Sequence, residues 1–153
     1  MARTDYAIRP EGGNTARAKA NELPVSPKHS IEIARFIRNK TTTEAIEYLN
    51  DVIALKKAIP FRRFNRNAAH RRGLSGWDAG RYPVKAAEAF VLLLRSVEEN
   101  AEYIGLDTEN LRIIHAAANG GRMHRAFFPR AMGRATPKRR ETVNIEVIVE
   151  EVA

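Results

Sequence analysis

The sequence contains no cysteine. Disulfides, thiolate nucleophiles and cysteine-based zinc sites are therefore excluded, and the absence fits a reducing compartment. A long apolar run is also missing, because the longest one, A-F-V-L-L-L at residues 89–94, is far too short to span a bilayer. The opening M-A-R-T-D-Y-A-I-R-P lacks the apolar segment of a signal peptide. These absences predict a soluble, cytoplasmic protein with no membrane partner.

The residue patterns of common enzyme sites are missing as well. The histidines His29, His70, His115 and His124 are scattered without metal-ligand spacing. The glycine pairs at 12–13 and 120–121 lack the context of a phosphate-binding loop, and no G-x-S-x-G occurs. We therefore expect no catalytic residue, no metal, no cofactor and no small-molecule substrate. An enzyme that acts on RNA through His70 or His124 is kept only as a distant alternative.

Acidic residues are absent from two long stretches, between Asp51 and Asp78 and between Asn110 and Arg140, in a chain with a net charge of +8. The cations of the first stretch are Lys56, Lys57, Arg62, Arg63, Arg66, Arg71 and Arg72. The second stretch carries Arg122, Arg125, Arg130, Arg134, Lys138, Arg139 and Arg140, together with Arg112 near its start. Cations without counter-ions repel one another, so the phosphates of nucleic acid are the expected partner.

Four phenylalanines lie among these cations: Phe61, Phe64, Phe127 and Phe128. Aromatic rings between arginines are typical of surfaces on which RNA bases stack. We predict that the cations bind RNA and that the four rings stack on bases. The alternative is a solvated basic loop whose phenylalanines return to the core. The neighbouring Trp77 and Tyr82 are interpreted as packing residues that tie the first stretch to the helix that follows.

Three helices are predicted. The first begins after Ser26, a candidate cap, with Pro27 at its first position, and the second begins at Thr41, which has capping-box spacing to Glu44. The third, residues 83–104, is the most clearly amphipathic and turns Glu98, Glu99 and Glu102 to water. The predicted buried stripes are Ile33, Ala34 and Ile37; Ile46, Leu49 and Ile53; and Ala87, Phe90, Val91, Leu94, Val97, Ala101 and Ile104. Residues 57–82 show no period and are predicted to form a long irregular loop.

Two strands are predicted at residues 111–118 and 143–149, on either side of the second acid-free stretch. Alternation places Val143, Ile145, Val147 and Val149 inward and Asn144, Glu146 and Glu150 outward. Residues 18–25 are a candidate edge strand within a polar arm, residues 1–24. An extended hairpin over the acid-free stretch has no core of its own and is stable only when something surrounds it.

The segment R-A-F-F-P-R-A-M-G-R at residues 125–134, followed by N-I-E-V-I at 144–148, resembles the signature of the universal large-subunit ribosomal protein family numbered 22 in bacteria and 17 in eukaryotes. The stretches R-A-K-A-N-E-L-P-V-S-P-K-H and G-W-D-A-G-R-Y-P-V-K-A-A-E are similar to the archaeal and eukaryotic branch. The resemblance implies one α+β domain over residues 1–153, with three helices packed on a small antiparallel sheet and a long projecting β-hairpin. That hairpin would span 112–149 with its tip near 126–136, and 57–82 would be a basic insertion that bacterial members mostly lack.

The resemblance also implies a role as a structural constituent of the large ribosomal subunit. The implied partners are large-subunit ribosomal RNA, neighbouring ribosomal proteins and the nascent polypeptide in the exit tunnel. The hairpin tip that lines the tunnel would consist of Phe128, Pro129, Arg130, Ala131, Met132, Gly133 and Arg134. Pro129 and Gly133 are expected to give this tip a tight turn. The alternative is a free-standing RNA-binding protein or RNA chaperone.

Overall fold

A computed structural model describes residues 6–8 and 13–152, so part of the predicted N-terminal arm lies outside the described residues. The elements are β1 (Thr15–Leu23), α1 (Pro27–Ile37), α2 (Thr42–Ile53), β2 (Ile59–Pro60), β3 (Gly80–Arg81), α3 (Val84–Ile104), β4 (Leu111–Pro129) and β5 (Ala135–Glu151). This order confirms the predicted α+β class. Within the described ranges, no helix combines the length and the apolar character needed to cross a membrane.

The helix starts agree with the sequence in position but not in every detail of capping. Thr41 Oγ1 accepts a hydrogen bond from the backbone N–H of Glu44 at 3.3 Å, as the capping-box spacing predicts. Pro27 occupies the start of α1 as expected, but the Ser26 side chain makes no capping hydrogen bond. Ser26 is exposed, and its carbonyl instead accepts from the Ser30 hydroxyl at 2.9 Å. The prediction of a Ser26 side-chain cap is therefore wrong, because residue type locates a helix start without setting the rotamer.

The apolar stripes of the helices form the core against one face of the sheet. Ile33, Ala34 and Ile37 of α1 are buried as predicted. The stripe of α2 is rotated: Ala45, Leu49 and Val52 are fully buried, and the predicted Ile46 and Ile53 are only partly covered. This rotation follows from α2 packing on α3, which favours the flank that carries the small Ala45. The predicted stripe of α3 is buried except at its last residue, Ile104, which is 55% exposed where the helix ends.

The main sheet is antiparallel with the order β1-β5-β4, so β1 is an edge strand as predicted, but it covers Thr15–Leu23 rather than residues 18–25. The inward residues of β5, Val143, Ile145, Val147 and Val149, are all fully buried, which confirms their predicted orientation.

The outward face of β5 is partly covered as well. Glu146 is only 1% exposed, because its carboxylate accepts hydrogen bonds from Ala7 N at 3.2 and 3.3 Å and lies 3.1 Å from His115 Nε2. Lys19 Nζ lies 3.6 Å from the same carboxylate. Alternation predicts the direction of Glu146 correctly but cannot show that a distant segment of the chain covers it.

The β4–β5 pairing forms a long hairpin that extends well beyond the two predicted strands. It runs from Leu111↔Glu151 to Pro129↔Ala135, and residues 122–141, here called the distal hairpin, are all exposed. The tip closes with Arg130 N donating to Arg134 O at 2.8 Å. Met132 and Gly133 have φ values of 59° and 68°, so the turn uses a left-handed pair of residues. Glycine adopts this conformation without strain, which agrees with the expected role of Gly133.

Candidate nucleic-acid interface

The distal hairpin presents cations on both of its faces. In the β4–β5 register, Arg125 lies opposite Arg139, and the adjacent pair is His124 with Arg140. Because successive pairs on a strand ladder point to opposite faces, each face receives a pair of basic residues. Arg125 and Arg139 are like charges directly opposite one another, which destabilises a sheet, so this face is suited to an anion from outside; the other face carries the charge of Arg140.

The hairpin tip adds two arginines that are held by local hydrogen bonds. Arg130 Nε donates to Thr136 Oγ1 at 3.2 Å, and Arg134 Nε lies 3.5 Å from Ala131 O. Both guanidinium groups keep further donors, because each carries five N–H groups. Met132 between them is 93% exposed. The tip is therefore a small turn with two cationic flanks and an apolar apex.

The phenylalanines of the distal hairpin are available for stacking. Phe127 is 69% exposed and Phe128 is 46% exposed. The Lys138 ammonium lies 4.6 Å from the centroid of the Phe128 ring, so one ring is already paired with a cation. An exposed ring beside a cation is suited to a base and its phosphate together.

Residues 57–82, here called the basic loop, form an ordered segment organised by a buried carboxylate. Glu32 of α1 is 1% exposed and accepts backbone N–H groups from Arg62 at 3.2 Å, Arg63 at 2.7 Å and Phe64 at 2.8 Å. Strands β2 and β3 pair through Ile59↔Arg81 and Pro60↔Gly80. The carboxylate thus turns three backbone amides inward, and the side chains of Arg62 and Arg63 remain exposed. Sequence reasoning missed this role of Glu32; the available signal was an acid on α1, upstream of the acid-free stretch between Asp51 and Asp78.

Phe61 is buried in the core with 0% exposure, so the prediction that it stacks on a base is wrong. Its ring packs edge-on against His29 at 5.4 Å between centroids, and its carbonyl accepts from Trp77 Nε1 at 2.9 Å. The interpretation of Trp77 as a packing residue holds, but the residue ties the basic loop to itself rather than to α3. Phe64 is half-buried, and its role in stacking stays a prediction.

The cations of the basic loop are arranged on aromatic rings. The Arg62 guanidinium lies 5.6 Å from the Trp77 ring, Arg63 lies 5.2 Å from Phe64, and Arg71 lies 5.2 Å from Tyr82, just before α3. These contacts restrict the side chains without neutralising them. A restricted cation loses less entropy when it meets a phosphate than a free one.

Internal ion pairs barely reduce this charge. Lys57 Nζ lies 2.7 Å from Asp51 Oδ2, and the hydrogen bond raises the pKa of Lys57 and lowers the pKa of Asp51. No other predicted RNA-binding cation has a carboxylate partner within residues 6–8 and 13–152. All of them are exposed: Lys56, Lys57, Arg62, Arg63, Arg66, Arg71, Arg72, Arg122, Arg125, Arg130, Arg134, Lys138, Arg139 and Arg140. The cations of each acid-free stretch therefore form an exposed surface.

The two cationic surfaces are separate in the fold. Between the basic loop and the distal hairpin, the described residues form no hydrogen bond, ion pair or ring contact. In the same described part of the chain, histidine, aspartate and glutamate side chains form no group of three that could hold a metal ion. Both surfaces present exposed guanidinium and ammonium groups, which are donor groups suited to phosphate.

Comparison with known proteins places this arrangement in a family. The profile of the family described as Ribosomal protein L22p/L17e matches residues 18–150. A protein of Methanoculleus marisnigri named large ribosomal subunit protein uL22 is 80% identical over the full length of both chains. A protein of the same name from Methanoregula boonei is 68% identical over the full length of both chains. Another from Archaeoglobus fulgidus is 50% identical over 98% of this chain and 97% of the relative. The chain therefore belongs to the ribosomal protein L22p/L17e family.

Proposed function

We propose that this protein is a structural constituent of the large ribosomal subunit that binds large-subunit ribosomal RNA through the basic loop and the distal hairpin. Neighbouring ribosomal proteins are its further partners, and the protein has no catalytic role. The hairpin tip, Phe128 to Arg134, contributes to the wall of the nascent-peptide exit tunnel.

The proposal is supported by the exposed, cationic distal hairpin in a chain that belongs to this family. Family membership spans nearly the whole chain, and the close relatives are named as large-subunit proteins. The hairpin has no buried side chain between residues 122 and 141 and bears cations on both faces. A segment of that kind is suited to being enclosed by phosphates, which supply both the missing anions and the missing packing.

The first experiment is co-sedimentation of the tagged protein with ribosomal subunits from lysate across a ladder of salt concentrations. We expect the protein to travel with the large subunit and to dissociate only at high salt. A protein that stays at the top of the gradient even at low salt would contradict the proposal. If it still bound purified RNA, the free-standing RNA-binding alternative would replace the ribosomal one.

The contribution of the tip cations is tested by replacing Arg130 and Arg134 with alanine together. Both side chains are exposed and their hydrogen bonds stay within the distal hairpin, so the helices should remain folded and the circular dichroism spectrum unchanged. Dissociation from the subunit should occur at lower salt than for the wild type. Dissociation at the same salt concentration as the wild type would show that these two arginines do not contribute to RNA binding.

The tunnel contact is tested with a photo-crosslinking amino acid at position 132, in ribosomes stalled with a labelled nascent chain. Met132 and Tyr103 are both 93% exposed, but Tyr103 lies near the end of α3, so position 103 is a control of matched exposure. We expect nascent-chain crosslinks from position 132 only. Equal labelling from both positions, or none from 132, would exclude the tunnel contact while leaving RNA binding intact.

A further inference from the structure

A narrow cleft of about 200 Å³ lies between the first turn of α1 and the basic loop. Lys28 and His29 line it from the helix, and Arg63, Arg66 and Arg81 line it from the loop and β3. Of these five, sequence reasoning identified only Arg63 and Arg66 as RNA-binding residues. No carboxylate lines the cleft, so its walls carry four positive charges.

We propose that this cleft binds one phosphodiester group of the RNA backbone, with Lys28, Arg63, Arg66 and Arg81 supplying charge and His29 supplying a hydrogen bond. The proposal rests on the proposed function, because that function makes RNA the ligand. It adds Lys28, His29 and Arg81 to the interface. It also gives the basic loop a defined binding site for one phosphodiester, in addition to the general attraction of its exposed cations for RNA.

Three of the four cations around the cleft, Lys28, Arg63 and Arg81, already make contacts with the protein. Arg81 is half-buried, and its Nη2 donates to the carbonyls of Arg66 at 3.4 Å and Asn67 at 3.2 Å. Lys28 and Arg63 both approach the ring of Phe64, at 5.8 and 5.2 Å. A site whose donors are already ordered loses little entropy on binding.

The cleft lacks an internal anion that could satisfy these cations. None of Lys28, Arg63, Arg66 and Arg81 forms an ion pair among the described residues. Glu32, on the same helix as Lys28 and His29, lines a different cleft, and its carboxylate accepts three backbone N–H groups. Four cations of like sign around a small volume repel one another, and a phosphodiester relieves that repulsion.

The pKa of His29 can report whether a ligand binds in the cleft. Burial, and then the positive charge of Arg81, lower the pKa of His29 below its ordinary value of 6.5. The other charged groups that face it, Lys28 on its own helix and Arg63 and Arg66 on the loop, are also positive. A phosphodiester placed among them favours the imidazolium ion, so binding should raise the pKa of His29. By linkage, binding should become tighter as the pH falls toward the range in which His29 takes up a proton.

The direct test follows the His29 imidazole resonances by NMR during a pH titration of the full chain. The probe is dimethyl phosphate, a diester that does not itself titrate near neutral pH, compared with sodium chloride at equal ionic strength. A short single-stranded oligouridylate and its uncharged methylphosphonate analogue follow. We expect the pKa of His29 to rise with dimethyl phosphate and with the charged oligonucleotide, and to stay unchanged with chloride and with the uncharged analogue. A response to the uncharged analogue would mean that the cleft binds a base, and no response to any probe would exclude a ligand site; either result overturns the proposal.

The variant test removes two cleft charges, Lys28→Gln with Arg66→Gln. Both side chains are exposed, so the fold should persist. The matched control, Lys85→Gln with Arg95→Gln, removes one lysine and one arginine from the exposed side of α3. The cleft variant should lose the effect of dimethyl phosphate on His29. It should also reduce the log–log salt slope of subunit binding by about 1, the value for one lost phosphate contact, and the control should do neither.

These outcomes separate the cleft from the function on which it rests. If the wild type binds subunits and the cleft variant dissociates at the same salt concentration as the control, the cleft proposal is wrong and the ribosomal role stands. If the wild type does not bind subunits at all, the proposed function fails. The dimethyl phosphate titration then still decides whether the cleft recognises a phosphodiester.

Discussion

At the scale of single residues, Glu32 decides the path of the basic loop. Its buried carboxylate accepts three backbone N–H groups, and both oxygens are used. In Glu32→Gln an NH₂ group replaces one acceptor and faces N–H donors, so buried donors lose their partner. We expect the free energy of unfolding in urea to fall by about 1–3 kcal/mol. The control is Glu99→Gln, the same substitution at an exposed position on α3. It should change the free energy of unfolding by less than about 0.5 kcal/mol. Equal effects from both variants would show that the loop does not depend on the charge at position 32.

A second residue, His29, should couple stability to pH. Its pKa is lowered in the folded protein, first by burial and then by Arg81, so between the lowered value and 6.5 the unfolded chain binds the proton more readily. The His29 contribution to stability is therefore fully present above 6.5 and is lost as the pH falls through this window. Urea unfolding of the wild type and His29→Gln across the window should show a steeper loss for the wild type on acidification. If the unfolding free energies of the wild type and His29→Gln changed in parallel with pH, His29 would not be the group that couples stability to pH.

At the scale of elements, the hairpin leaves the body at a close contact between its two strands. A Cβ built on Gly121 would lie 2.5 Å from Thr142 Oγ1 and 3.2 Å from the Thr142 carbonyl carbon. That hydroxyl is already fixed, because it donates to Arg122 O at 2.8 Å. Gly121→Ala should therefore displace β5 and cost about 1–3 kcal/mol of unfolding free energy. The neighbouring Gly120 has open space around its Cβ position, so Gly120→Ala is a matched control that should cause no loss. If the two variants had equal stability, the contact would not constrain the strands.

The distal hairpin should be dispensable for folding of the body. Its residues contribute no buried side chain, and Met123 pairs directly with Glu141. Residues 124–140 can therefore be replaced by Asn-Gly, which suits a two-residue turn between paired positions. We expect the urea midpoint and the m-value to stay the same, because m follows the surface buried on folding. A lower midpoint would show that the distal hairpin supports the core.

At the scale of the whole molecule, charge without internal counter-ions should appear as salt dependence. Each neutralised phosphate contributes about 0.7–0.9 to the slope of log affinity against log salt concentration. The truncated protein lacks six cations of the distal hairpin, Arg125, Arg130, Arg134, Lys138, Arg139 and Arg140. Its slope for binding ribosomal RNA should be smaller than that of the full chain, and residual binding should come from the basic loop. An unchanged slope would mean that the hairpin cations do not meet phosphates.

Properties that depend on neighbouring residues were predictable from the sequence. The α+β class, the Thr41 cap, the α1 stripe and the inward valines of β5 all follow from local periodicity and capping chemistry. The exposure of the cations was equally predictable, because an unpaired guanidinium or ammonium group is costly to bury. The two acid-free stretches, together with the family signature, were sufficient to indicate RNA as the partner.

Only the tertiary structure decided which residues meet across long separations in the chain. Glu32 and Arg62 are 30 positions apart, and Ala7 and Glu146 are 139 apart, so no local pattern could join them. The same reason explains why Phe61, read as an exposed ring from its arginine neighbours, is in the core, and why Lys28, His29 and Arg81 come together around one cleft. The sequence alone determined the secondary-structure elements and the sign of the surface charge, since both depend on short-range chemistry. The fold decided where that charge is concentrated, because packing brings distant segments together.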